Sequence, residues 1–116
     1  MIRNKSMVDI IRYPILSRFN EILHLTSTRS GGVSSGSYGS LNLGRFSGDD
    51  IGNIHQNFNR FLSGINLSED QLHLPFQTHG DSVLKIDADF ITQNEVVKSK
   101  KLHGVDALIT NLPNQF

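Results

Sequence analysis

The sequence predicts a single domain that mixes one helix with several short strands, and three observations predict it. Apolar residues recur every three to four positions over 51–65, residues 82–87 alternate with a period near two, and no linker long enough to separate two domains interrupts the 116 residues. With hydrophobic residues at 37% and charged ones at 19%, the chain falls in the range of one globular domain, towards the small end.

Taken in order, Val8 to Leu16 is apolar-rich up to Pro14, and Glu21 to Thr28 alternates loosely through Ile22, Leu23, His24 and Leu25; both read as short strands. From Arg29 to Gly48 the chain is dense in Gly and Ser, a composition that marks loops and turns. Tyr38, Leu41, Leu43 and Phe46 recur inside it, and a flexible linker has no need of large apolar side chains at such intervals. An ordered, glycine-shaped loop is expected. Ile51, Ile54, Phe58, Phe61, Leu62 and Ile65 then define one helix face, with Asp50 as the N-cap and Gly64 and Asn66 at the stop. Capping and the helix dipole account for Asp49-Asp50 more simply than a metal or ribose contact does.

After a turn over 67–74, Phe76 to His79 and Ser82 to Asp87 read as short strands broken at Gly80-Asp81, which places His79 at a strand end. Asp89 to Lys101 is polar, weakly helical or looped, and Gly104 to Thr110 reads as a buried strand entered through a glycine.

Composition narrows the function. Eleven basic side chains balance eleven acidic ones, so nothing points to nucleic acid. With no cysteine, the chain offers neither a disulfide nor a thiolate nucleophile or ligand. Residues 1–20 scatter Arg3, Lys5, Asp9, Arg12 and Arg18 among apolar ones, which fits neither a signal peptide nor a membrane span; a cytoplasmic protein without membrane contact is expected. The glycine run lacks the Lys-Ser/Thr of a phosphate-binding loop, and the five histidines, at 24, 55, 73, 79 and 103, form no two-His metal motif. His79 stands apart through its neighbours, Gln77-Thr78-His79-Gly80.

Five segments occur in the order and spacing of one family: Thr28 to Ser34 (TRSGGVS), Tyr38 to Gly44 (YGSLNLG), Gly48-Asp49-Asp50, Gln77 to Gly80, and Val105 to Thr110 (VDALIT). From about Leu25 onward the chain resembles the YfiH-like family, long labelled multicopper polyphenol oxidoreductase or laccase-domain proteins and now regarded as zinc-dependent purine nucleoside phosphorylases. The resemblance implies an α+β fold of mixed β-sheets packed in layers with helices outside, with residues 1–116 as the N-terminal part of one domain. It also implies zinc held by the histidine of a Gln-Val-His-Gly motif, by the cysteine of Ala-Asp-Cys and by the first histidine of His-Ala-Gly-Trp-Arg. His79 matches the first, as metal ligand and catalytic residue, although Thr78 stands where the family has Val and brings a hydroxyl that needs a partner. The other two motifs follow the segment at which this chain stops, so the chain alone is expected to be inactive.

By the same resemblance Arg29 and Asn42 border the substrate pocket. A guanidinium suits a phosphate or a purine acceptor, and a carboxamide both donates to and accepts from a base or ribose. The competing readings are a surface ion pair for Arg29 and a turn contact for Asn42. The implied reaction is phosphorolysis of purine nucleosides (adenosine, inosine, guanosine, methylthioadenosine), with a related deamination of adenosine. Copper-dependent oxidation of phenols is the alternative enzyme reading, with copper in place of zinc; a non-catalytic folded module is the alternative outside enzymes. Strands left uncovered would expose apolar surface, so self-association or a complementary chain is expected.

Overall fold

The computed structural model describes residues 8–116; the first seven, with Arg3 and Lys5 of the N-terminal segment, lie outside the described residues. The chain forms two units, the first ending at Leu67 and the second running from Ser68 to Phe116.

In the first unit the expected N-terminal strands shrink to a two-residue antiparallel pair, β1 (Ile10–Ile11) with β2 (Thr26–Ser27). The chain turns over at Pro14, which has no N–H for a ladder: Leu16 and Ser17 both donate to the Tyr13 carbonyl instead. His24 therefore precedes β2 rather than lying in a strand. The main element is α1 (Ile51–Gly64), which buries Ile54, Phe61 and Leu62 along the expected face. Ile51 departs from that expectation at 63% exposed, because it sits in the first turn, at the outer end of the stripe. At the N-terminus the Asp50 carboxylate accepts from the Gly52 and Asn53 N–H groups at 2.8 and 3.2 Å. At the other end Asn66 takes the left-handed conformation (φ 57°), Leu67 N–H donates to the Leu62 carbonyl and Asn66 N–H to that of Ser63, closing the helix as glycine commonly does.

The glycine-rich segment is ordered, and α1 orders it through Asn57, which is 0% exposed. Its Oδ1 accepts from Val33 N–H at 2.8 Å, while Nδ2 donates to Ser34 Oγ and to the Asn42 carbonyl, both at 2.9 Å. Segments from two parts of the loop thus meet on one helical side chain. The loop strands cross so closely at Gly32 that a Cβ there would lie 2.0 Å from the Ser40 carbonyl oxygen, so only hydrogen fits. Leu41 anchors the loop in the core, and Tyr38 ties it by donating its hydroxyl to the Ser47 carbonyl at 3.0 Å. Phe46, expected to be a further anchor, is 75% exposed.

The second unit is built on a parallel pair, β3 (Val83–Ile86) and β4 (Ala107–Thr110), in the register Val83↔Ala107 to Ile86↔Thr110. Parallel neighbours need a crossover, and residues 87–106 supply it with two short helices, α2 (Ala88–Thr92) and α3 (Glu95–Leu102), where the sequence suggests only weakly helical or looped chain. Local caps explain the difference: Asp87 accepts from Phe90 N–H at 2.9 Å and Asn94 from Val97 N–H at 3.0 Å. Ile86, Phe90 and Val105 form the core. The alternation expected over 82–87 holds, with Leu84 and Ile86 inward and Val83 and Lys85 outward. β4 is less buried than expected: Val105 is in the core, but within the strand only Leu108 and Thr110 are half-buried, and Ile109 is 61% exposed. No strand spans Phe76 to His79; a single bridge pairs Phe76 with His103, and their rings stack at 4.6 Å. One small antiparallel sheet and one small parallel sheet, accompanied by helices, bear out the α+β class. Among the described residues no helix is long and apolar enough to cross a membrane.

Removing the Asn57 carboxamide leaves Val33 N–H, Ser34 and the Asn42 carbonyl each short of a partner, around a side chain that is itself fully buried. Asn57→Ala is expected to lower stability by at least about 2 kcal/mol, against a change within about 0.5 kcal/mol for His55→Ala on the exposed side of the same helix, both read by urea denaturation.

Candidate functional site

The loop Gln77 to Gly80 is held by one side chain that sequence reasoning missed. The Asp106 carboxylate, just before β4, accepts from three consecutive backbone N–H groups: Thr78 at 3.1 Å and His79 at 2.7 Å on Oδ1, and Gly80 at 2.9 Å on Oδ2. The Asp106 carbonyl accepts from Gln77 Nε2 at 3.0 Å, so all four loop residues are tied to it. Successive N–H groups converge on one anion when a residue among them is left-handed, and His79 is that residue, at φ 62°. A non-glycine residue there costs roughly 1–2 kcal/mol. The three hydrogen bonds to one carboxylate oppose that strain and favour this backbone conformation over others. Gly80 is close-fitted, since a Cβ there would stand 3.2 Å from Asp106 Oδ2.

The result is an exposed imidazole on a fixed backbone, with neither ring nitrogen hydrogen-bonded to a described residue. The Thr78 hydroxyl, expected to need a partner, belongs to a residue that lies exposed to solvent. The remaining histidines differ. His24 accepts from Tyr13 N–H at 3.4 Å on Nδ1 and pairs its Nε2 with Ser17 Oγ at 3.3 Å. His73 bonds Gln115 Oε1 at 2.6 Å and meets the Phe90 ring edge-on. His103 stacks on Phe76, and His55 is exposed on α1. Among the described residues no three His, Cys, Asp or Glu side chains gather to hold a metal. His79 fits zinc as a single accessible nitrogen donor; a defined site needs further ligands.

In the first unit the structure brings Arg29 and Asn42 into one loop. The Arg29 carbonyl accepts from Ser40 and Leu41 N–H at 2.9 and 2.8 Å, and its Nε donates to the Gly39 carbonyl at 2.8 Å. Arg29 makes no ion pair with a described residue, so its exposed guanidinium retains donors beyond Nε. Asn42 is more deeply engaged: Nδ2 donates to Ser47 Oγ at 2.8 Å and to Asp49 Oδ2 at 3.2 Å, and Oδ1 accepts from Gly44 N–H at 3.0 Å. Asp50 alone caps α1. Asp49 faces the loop and accepts from Ser34 Oγ, Asn42 Nδ2 and Asp50 N–H. The Ser34 hydroxyl above all, then Asn42 and the Asp50 N–H, hold the Asp49 carboxyl below the ordinary carboxylate value against the opposing effect of partial burial.

Comparison with known proteins adds the following. Residues 23–116 match the family described as multi-copper polyphenol oxidoreductase laccase. A purine nucleoside phosphorylase of Bacteroides thetaiotaomicron is 35% identical over 104 residues, which is 90% of this chain and 38% of that protein. The purine nucleoside phosphorylase YfiH of Escherichia coli is 43% identical over 61 residues, covering 53% of this chain and 25% of the relative. Among solved structures, YlmD from Geobacillus stearothermophilus superposes with a TM-score of 0.64 at 25% identity, over 77% of this chain and 33% of its own. The chain spans about two fifths of the length of the first two curated relatives it matches, 38% and 40%.

Asp49 carries a pH signature. With its folded pKa below 3.8, the stability its ionised form contributes is full above that value and is lost as pH falls through the folded value. Asp49→Asn is therefore expected to be less stable than the unmodified chain at pH 7, with the gap closing in acid below pH 3.8. Urea midpoints of the two proteins across pH measure it; a gap that stays constant or widens in acid contradicts the assignment.

Proposed function

This chain belongs to the multi-copper polyphenol oxidoreductase laccase family, and we propose that the protein it forms works as a zinc-dependent purine nucleoside phosphorylase. The observation that carries the reading is the accessible His79 imidazole on its carboxylate-held loop, in a chain whose similar curated relatives bear that name. The reaction is attack of phosphate on the anomeric carbon of a purine nucleoside, giving the free base and ribose 1-phosphate. Adenosine, inosine, guanosine and methylthioadenosine are the proposed substrates, with deamination of adenosine as a second activity.

Each residue then has a task. His79 supplies one neutral nitrogen donor to zinc, and the other two ligands are a cysteine and a histidine from motifs that residues 1–116 do not contain. Zinc, when bound, polarises an oxygen or lowers the pKa of a bound water. Arg29 offers guanidinium donors to phosphate or to a purine acceptor, and stabilises negative charge. Asn42 orders the loop that presents Arg29, through its bonds to Ser47, Asp49 and Gly44. This reading is preferred to copper-dependent phenol oxidation because the similar curated relatives carry the phosphorylase name, while His24 and His73 are held in hydrogen bonds and His103 in a ring stack.

In the protein that carries this chain together with the cysteine and second histidine motifs, His79→Ala is expected to lower zinc content and phosphate-dependent base release from inosine in parallel. Full zinc occupancy with unchanged turnover contradicts the assignment. In the same protein Arg29→Ala is expected to cut kcat/KM at least tenfold with little change in Tm, whereas Asn42→Ala lowers both. An Arg29→Ala protein whose loss of Tm matches its loss of activity shows Arg29 to be structural.

A further inference from the structure

Asp106 lies outside the match to the histidine motif, and its side chain makes none of the contacts that hold β4 in its sheet. Those are backbone bonds, beginning with the Asp106 and Ala107 N–H groups on the Ser82 carbonyl at 2.9 and 3.2 Å. The carboxylate goes wholly to the loop at 77–80. Thr78, His79 and Gly80 are all exposed, so water can satisfy their N–H groups; what the carboxylate adds is direction. A left-handed histidine has no such preference of its own.

We infer that Asp106 is the positioning residue of His79, its carboxylate selecting the one backbone conformation from which the imidazole is presented as a ligand. The inference rests on the zinc reading of His79 above. A second partner that orients a ligand in this way commonly sets metal affinity nearly as strongly as the ligand does. Here the orientation acts through the backbone rather than through a ring N–H.

Asp106→Asn keeps the size of the side chain but sets an amide N–H₂ against one of the loop's N–H donors. Two measurements follow. In residues 1–116, the strong intraresidue NOE between the amide and α protons of His79, which marks positive φ, is expected to weaken, with the Ile86 and Thr110 signals of the β3–β4 pair unchanged as the folding control. In the protein with all three zinc ligands, competition of Zn²⁺ against a chelator is expected to show binding weakened by about tenfold or more. Gly80→Ala, whose Cβ would stand 3.2 Å from Oδ2, is expected to weaken binding less and in the same direction, without removing the carboxylate. Zinc affinity in Asp106→Asn equal to that of the unmodified protein, or a His79 NOE that survives the substitution, overturns the inference while leaving the zinc reading intact. Unchanged zinc affinity in His79→Ala overturns the zinc reading and takes this inference with it.

Discussion

One carboxylate accepting three consecutive backbone N–H groups is the constraint on which the exposed loop of the second unit depends. Asp106 joins the two sides of that loop. Its backbone N–H bonds the Ser82 carbonyl one step before the Val83↔Ala107 pair, its carbonyl accepts from Gln77, and its side chain takes Thr78, His79 and Gly80. The start of the β3–β4 ladder and the hold on the His79 backbone therefore meet at a single residue. The bridge between Phe76 and His103 ends where these bonds begin, because N–H groups aimed at a carboxylate cannot also serve a strand ladder.

The first unit solves the same problem with a neutral carboxamide and greater burial. An irregular glycine-rich loop leaves backbone groups that no ladder satisfies, and Asn57 answers from the buried side of α1, donating through Nδ2 and accepting through Oδ1. Asp49 extends that network through Ser34 and Asn42. In both units a polar side chain borne by, or next to, a regular element fixes a loop that carries candidate site residues. The two differ in consequence: loss of Asn57 strands buried groups, whereas loss of Asp106 exposes groups to water and sacrifices geometry more than stability.

What was legible in the sequence was whatever carries a period or a local cap. The apolar stripe of α1, its Asp50 cap, the ordered character of the 29–48 loop and the alternation in β3 were all readable, and so were the linked segments around His79. The role of Asp106, a residue of the segment Val105 to Thr110, was not, because a side chain that accepts backbone N–H groups some 26 to 28 residues away leaves no periodic trace. Asn57 was hidden for the same reason, as a polar residue on a helix whose partners lie in a distant loop. Burial was misjudged where apolar character alone was the signal: Phe46, Ile51 and Ile109 are largely exposed. Val83 and Ile109 share the outward face of a parallel pair, a kind of sheet ordinarily covered on both faces, which is why composition suggested a buried strand.

The central claim is that the Asp106 carboxylate, rather than solvent, holds the N–H groups of residues 78–80. Amide hydrogen exchange of the unmodified chain tests it most directly, since these three residues are exposed and belong to no helix or strand. The account predicts exchange at Thr78, His79 and Gly80 slowed on the order of tenfold or more relative to unstructured chain. Exchange of all three at unprotected rates, with the β3 and β4 amides still protected, would contradict it.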